Sequence, residues 1–411
     1  MWRSKISEDK DMGERGVLQH EQSQVSGKRE ATSAPRANLL KVLIVAPSLD
    51  ILGGQAVQAS RLLARLSKEP DISVSFLPHN PRLPAPFNKL QSIKYVRTVV
   101  TSFLYIALLL ARVRKYDCIH IFSASYLSFL LAPTPAILIA KLYGKRVVLN
   151  YRSGEAADHL KRWSKTALPI IRLADRIAVP SGYLVDVFKR FHLEAHSIFN
   201  FVDTERFRFR KREPLKPIFL SNRNLEPLYN VACVLRAFAI IQQRFPEARL
   251  TVAGDGSQRA ELENLSRELN LRGVEFTGRI APEHMPELYD AADIYLNSSN
   301  IDNMPGSIIE AFASGVPVVT TDAGGIPYIV TDEHTGLMVR CDDHNAIAES
   351  AVRLLEDREL ASNIITRAHK ECLKYKWDAV RNDWFNLYYS TNTISSGAMA
   401  KDEAAKLSLL K

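Results

Sequence analysis

At 411 residues, 46% apolar and 24% charged, the chain is long enough for two domains and too rich in core-forming residues to be a largely disordered protein. Four cysteines, Cys118, Cys233, Cys341 and Cys372, lie far apart with no Cys-x-x-Cys or Cys/His cluster, which speaks against a zinc site or disulfide framework and fits a reducing cytosol. The net charge of +9 is uneven: residues 38–205 carry 22 Lys and Arg against 11 Asp and Glu, so the N-terminal half is expected to meet an anionic partner.

Residues 1–37 are polar and charged, without the apolar run of a signal peptide, and read as a disordered leader. Lys41–Ala46 is a short apolar run expected to form a buried parallel strand. The Gly53-Gly54 loop follows, then a helix over 55–67 with Ala56, Ala59, Leu62, Leu63 and Leu66 on one face. Ile72–Phe76 reads as a second strand and 79–87 as a proline-rich loop. The apolar run Phe103–Ala111 is too short to span a bilayer. Residues 121–140 are long enough, but Pro133 and Pro135 interrupt them, so the expectation is strand, helix, break and second helix. Further strands are expected at 118–122, 146–150, 176–179 and 197–199.

Residues 204–217, rich in Arg, Lys and Pro, read as a linker. A second alternating series follows, with strands at 217–221, 249–253, 274–277, 293–296 and 317–320, and helices over 230–245, 258–269, 307–314 and 344–357. Such alternation implies parallel sheets with helices on both faces, binding ligands at the carboxyl ends of the strands. Trp377, Val380, Trp384, Leu387 and Tyr388 share a helical face over 377–389, and the chain from 390 to 411 reads as a flexible tail.

The sharpest segment is 297–319. A strand ends, the chain turns through Met304-Pro305-Gly306, and a helix opens at Ser307 with Glu310 one turn in. Free N–H groups at such a helix start suit a diphosphate, and Glu310 is placed to accept from sugar hydroxyls. Ser307-Ile-Ile-Glu310 is also the pattern of a capping box, which needs no ligand.

This segment resembles the donor-site signature of glycosyltransferase family 4, retaining enzymes of the GT-B fold, with Asp302 and Glu310 in its two acidic positions. Other pieces fall in the family's order: Gly53-Gly54, Asn200-Phe-Val-Asp203, Gly254-Asp255-Gly256, Thr277-Gly278 and Thr321-Asp-Ala-Gly-Gly-Ile-Pro327. There are departures. Tyr229 stands where the family has a phosphate-gripping Lys. Asn224 takes the Arg position, with Arg223 one residue earlier. Tyr328 replaces a Glu, and Asn150-Tyr-Arg-Ser-Gly154 stands where a His is usual.

The resemblance implies an α/β protein of two Rossmann-like domains facing across a cleft. Residues 38–212 would hold the acceptor and 213–376 the nucleotide-sugar, with 377–389 crossing back to the first domain. It implies a retaining transfer from a nucleotide-diphosphate-sugar to an acceptor, such as a lipid-linked or polysaccharide precursor. Asp302, Arg223 and Glu310 would be the catalytic set. Donor contacts would come from Gly53, Gly54, Arg223, Gly254–Gly256, Asn303, Met304, Pro305, Gly306, Ser307 and Glu310, and acceptor contacts from His120, Tyr151 and Arg152. Without an Asp-x-Asp pair, no metal or other cofactor is expected, and no nucleic-acid partner. The alternatives are a nucleotide-sugar epimerase or phosphorylase of the same fold, and a non-catalytic nucleotide-sugar-binding protein. Basic residues around Phe103–Ala111 leave two readings of that helix: a core element, or a peripheral contact with the cytoplasmic face of a membrane.

Overall fold

The computed structural model describes residues 39–49, 53–83 and 94–389. The expected leader and tail lie outside the described residues, as does part of the proline-rich loop.

Two six-stranded sheets form the frame, and every pairing between named strands is parallel. The first contains β1 (Leu40–Ala46), β2 (Ile72–Pro78), β3 (Cys118–Ser123), β4 (Arg146–Tyr151), β5 (Arg176–Val179) and β6 (His196–Ser197), in the order β2-β1-β3-β4-β5-β6. The second contains β7 (Ile218–Ser221), β8 (Arg249–Ala253), β9 (Val274–Gly278), β10 (Ile294–Asn297), β11 (Val318–Thr321) and β12 (Leu337–Val339), ordered β12-β11-β10-β7-β8-β9. Central strands such as β3 and β10 are buried along their whole length. They therefore read as continuous apolar runs rather than alternating ones. This is the doubly wound α/β arrangement, made twice.

Residues 118–142 fold as β3, a helix Tyr126–Leu131 and a second helix Pro133–Leu142 with Pro133 in its first turn. Proline lacks an N–H to donate, so it opens the second helix at little cost and ends the first. The helix Trp377–Tyr389 returns to the first sheet as expected, burying Trp377, Val380, Trp384 and Leu387 with Val42, Ile44 and Phe122. Arg381 fastens it to Glu69 at 2.6 Å.

The stretch 204–217 is not a free tether. Arg212 is fully buried, donating to Ala292 O, Tyr289 O and Ser314 O and lying 3.4 Å from Asp293. Arg210 reaches the same carboxylate at 3.0 Å. Composition reads these arginines as solvated; in the fold they satisfy carbonyls at helix ends that would otherwise be orphaned.

Candidate active site

A cavity of about 450 Å³ lies between the sheets and is lined from both. That size suits a nucleotide-scale ligand. Gly53, Gly54 and Arg152 come from the first sheet's side; Arg223, Tyr229, Asp302–Ser307 and Glu310 come from the second.

The floor is the start of the helix Gly306–Ser314. Its N-cap is Pro305, which offers no side-chain cap. The capping box is therefore not formed, and the side chains it would have used are turned elsewhere. Ser307 Oγ accepts from Arg223 Nη1 at 3.3 Å. Glu310 Oε1 accepts from Arg61 Nη2 at 2.8 Å, across the cavity from helix Gly54–Leu66, and Oε2 accepts from the Tyr289 hydroxyl at 3.1 Å. Glu310 thus stands at the cavity wall with its charge matched.

Arg223 is bound to Asp302, and its guanidinium lies 4.2 Å over the ring of Tyr229. Tyr229, standing where a second cation is usual, supplies a π face that holds the arginine in place. Burial, the largest single influence, works against the charge on Arg223, but Asp302 together with Tyr229, Tyr295 and Tyr289 more than offsets it and raises the pKa, so the side chain stays cationic. Arg223 Nε and Asn303 Nδ2 are buried donors without a partner among the described residues.

Gly254, Asp255 and Gly256 shape the cavity rather than line it. A Cβ on Gly254, where φ is +148°, would lie 2.2 Å from Arg223 O, and one on Gly256 2.3 Å from Leu225 O. Only glycine lets this turn press against the loop that carries Arg223. Gly324 plays the same part for the other loop. Its φ is +51° and its Cβ would meet Asp302 O at 2.2 Å, while Gly325 N donates to Asp302 O at 3.1 Å.

The three acceptor-side candidates separate. His120 does not line the cavity. It is completely buried, with Nδ1 2.6 Å from the Tyr388 hydroxyl and Nε2 3.0 Å from Asn150 Nδ2, and it packs on Phe122 and Trp384. Burial, helped by the charge of Arg152, pushes its pKa down to about 3, so it is neutral. Its place is in the seam with the returning helix. Tyr151 is likewise buried, bonded to Ser125 Oγ at 2.8 Å and His159 Nδ1 at 2.7 Å. Arg152 reaches the cavity.

Two residues outside the expected donor and acceptor sets join the walls, Asn200 having been noted only as part of a turn. Arg61 meets Glu310. Asn200 donates from Nδ2 to Met304 O at 2.8 Å and accepts from Arg152 on its Oδ1. Gln58, Arg61 and Arg65 form a polar stripe at three- and four-residue spacing on helix Gly54–Leu66, a signal available in the sequence. Tyr328, in the place of a Glu, presses on Gly182 and donates to Asp186 at 2.6 Å, another contact between the halves.

Two parallel α/β sheets sharing one cavity at a topological crevice, with a helix N-terminus and an arginine facing it, define a GT-B fold. Residues 203–371 match the family model described as glycosyl transferases group 1. The chain is 27% identical over 299 residues to sulfoquinovosyl transferase SQD2 of Arabidopsis thaliana, covering 67% of this chain and 57% of that one. It is 26% identical over 255 residues to the phosphatidyl-myo-inositol mannosyltransferase of Mycolicibacterium smegmatis, covering 61% of each. The chain thus spans little more than half the length of these relatives. Among solved structures, HepE from Anabaena in complex with UDP and glucose superposes with a TM-score of 0.66 at 16% identity, over 85% of this chain and all of that one.

Proposed function

We propose that the chain transfers a glycosyl group, with retention at the anomeric carbon, from a nucleoside-diphosphate sugar to an acceptor at a cytoplasmic membrane surface. The observation that carries the reading is the pairing of Arg223 with the open helix start at Gly306 on one wall of a nucleotide-sized cavity. A diphosphate there meets a fixed cation, backbone N–H groups and the positive end of a helix dipole, aimed where charge grows as the bond to the sugar breaks. These groups neutralise the leaving group without a metal ion. Glu310 holds the donor ribose after exchanging Arg61 for its hydroxyls, and Asp302 with Asn303 orients the sugar. The acceptor hydroxyl attacks the anomeric carbon from the face the diphosphate leaves. The carbon–oxygen bond to phosphate breaks, the new glycosidic bond forms, and the departing phosphate oxygen takes the hydroxyl proton.

The acceptor's location rests on a surface outside the cavity. Helix Lys94–Arg112 buries Tyr105 and Leu109 but leaves Val99, Ile106 and Leu110 bare, and Phe103 is 72% exposed. The adjoining helices bare Leu127, Leu131, Leu138 and Leu142. The helix is therefore both a core element and an apolar surface. Residues 72–154 contain eleven Lys and Arg and a single acid, Asp117. An apolar face ringed by cations suits an anionic leaflet, where each Lys or Arg near the surface adds about 1 kcal/mol. The name of the mycobacterial relative, a phosphatidyl-myo-inositol mannosyltransferase, is in keeping with a lipid acceptor.

The test is transfer by the purified full chain from UDP-, GDP- and ADP-sugars to acceptors presented in anionic vesicles, with and without EDTA. Product NMR reads the anomeric configuration. Transfer with retention that survives EDTA is expected. Inversion, a strict requirement for Mg²⁺ or Mn²⁺, or an epimerised or phosphorolysed sugar as the only product would refute the corresponding part.

A further inference from the structure

Three arginines line the cavity: Arg61, Arg152 and Arg223. Arg61 is matched by Glu310 and Arg223 by Asp302. The partners of Arg152 are neutral. Nη1 donates to Asn150 Oδ1 at 3.3 Å, Nη2 donates to Asn200 Oδ1, and the guanidinium lies 5.4 Å over the ring of Phe122. Glu155 lines the same cavity but makes no ion pair with it among the described residues. Arg152 is half-buried in the cavity wall, and desolvation there, with no ion-pair partner among the described residues, lowers its pKa to about 9. Such a charge is costly to keep unless a ligand supplies its partner.

Its position says which ligand. Arg152 follows the carboxyl end of β4 on the first sheet's side, facing the loop that leads into helix Gly306–Ser314. Asn200, which holds Arg152, is itself held by Met304 in that loop through O at 2.8 Å and Sδ at 3.1 Å. A Cβ on Gly154 would meet Ile301 at 3.0 Å. The guanidinium is thus fixed between the first wall and the point where the donor sugar sits under the proposed function, while the donor diphosphate has Arg223 and the helix start on the other wall.

We propose that Arg152 is the specificity-determining residue of the acceptor subsite, recognising a phosphate or carboxylate carried by the acceptor close to the hydroxyl that is glycosylated. The proposal rests on the glycosyltransfer reading. The planar fork of an arginine pairs two oxygens of such a group at once, which a lysine does not.

Calorimetry on the full chain tests it with UDP, GDP and ADP as donor probes, and with glycerol 3-phosphate and malate as acceptor probes added to nucleotide-saturated protein. One acceptor probe is expected to bind. Arg152→Gln, which keeps an amide to bond Asn200, should weaken that probe by about 30-fold or more, the loss usual for one partner of a buried charge pair, and leave nucleotide affinity within about twofold. Arg152→Lys should fall between the two. Binding of neither acceptor probe to the nucleotide-loaded wild type overturns the proposal. So does an equal loss of nucleotide and acceptor affinity, which would assign Arg152 to the donor diphosphate. Failure of all three nucleotides to bind the wild type would instead sink the glycosyltransfer reading, and this inference with it.

Discussion

On the second sheet's wall of the cavity, the charges come already paired: Asp302 with Arg223, and Glu310 with Arg61 reaching over from the first half. Opposite them, His120 and Tyr151 are withdrawn into the core as neutral groups, and Arg152, which does reach the cavity, has amides and a ring beside it and no ion-pair partner among the described residues. The first arrangement is preorganised. Its side chains are locked before a ligand arrives, and a ligand binds by exchanging partners rather than by ordering them. The second leaves a charge unspent. Under the proposed function, fixed geometry serves the donor diphosphate and a single unmatched group serves the acceptor.

The largest effect is expected from Arg223→Ala, which removes the fixed cation and leaves Asp302 buried without its partner. The turnover rate should fall by about 10²–10³, as for loss of one preorganised charge-stabilising group. A fall of less than tenfold would mean that the diphosphate charge is met elsewhere and that the two walls are less different than described.

Glu310→Gln keeps the shape and removes the charge. Hydrogen bonds to charged groups contribute about 1.5–3 kcal/mol, so donor kcat/KM should drop by about 10- to 150-fold. A normal donor KM in this variant would show that Glu310 serves only to hold Arg61. Tightening of donor binding in Arg61→Gln would sharpen the comparison, by showing that the ribose and Arg61 compete for one carboxylate.

The outer face of the first half is tested by Phe103→Glu. Burying a Phe contributes about 1.5–3 kcal/mol, so cosedimentation with anionic vesicles should weaken by roughly tenfold or more, with transfer to a water-soluble acceptor unchanged. Binding that is equally strong at low and at 1 M salt would contradict the electrostatic half of the argument.

Acid sensitivity distinguishes the halves as well. Burial lowers the pKa of His120 to about 3 and of His79 and His159 to about 4, all in the first half. Between the ordinary histidine value of 6.5 and these figures the unfolded chain binds more protons than the folded one. Stability from the neutral histidines is therefore fully present above pH 6.5 and lost as pH falls toward 3–4, by at most about 1.4 kcal/mol per pH unit for each. Thermal unfolding of wild type and His120→Asn between pH 7 and 4.5 should show the shallower decline in the variant, and its rate profile above pH 7 should gain no new inflection. Smallest of all, Tyr328→Phe loses only the bond to Asp186 at a half-exposed site, and about 0.5–1.5 kcal/mol of stability at most. A larger loss, read as a shift in the denaturant midpoint, would make Tyr328 a principal tie between the halves.

The alternating apolar runs and turn residues determined, by themselves, the two parallel sheets, the break at Pro133 and the returning helix, because strand and helix periodicity are local properties of the chain. The donor-side loops were legible from their glycines and prolines as turns, but what requires Gly254, Gly256 and Gly324 there, the close approach of Arg223 O, Leu225 O and Asp302 O, belongs to the tertiary structure. Only the tertiary structure decided the rest. Whether Ser307 and Glu310 cap their helix or face a cavity depends on Arg61, 249 residues away from Glu310 in sequence. Whether His120 is a catalytic group or a packed one depends on Tyr388, 268 residues away. Whether Arg212 is a solvated linker residue or a buried clamp depends on the carbonyls of Tyr289, Ala292 and Ser314. A charged or titratable side chain takes its character from the dielectric and the partners around it, and those are assembled from distant parts of the chain, so no local pattern encodes them.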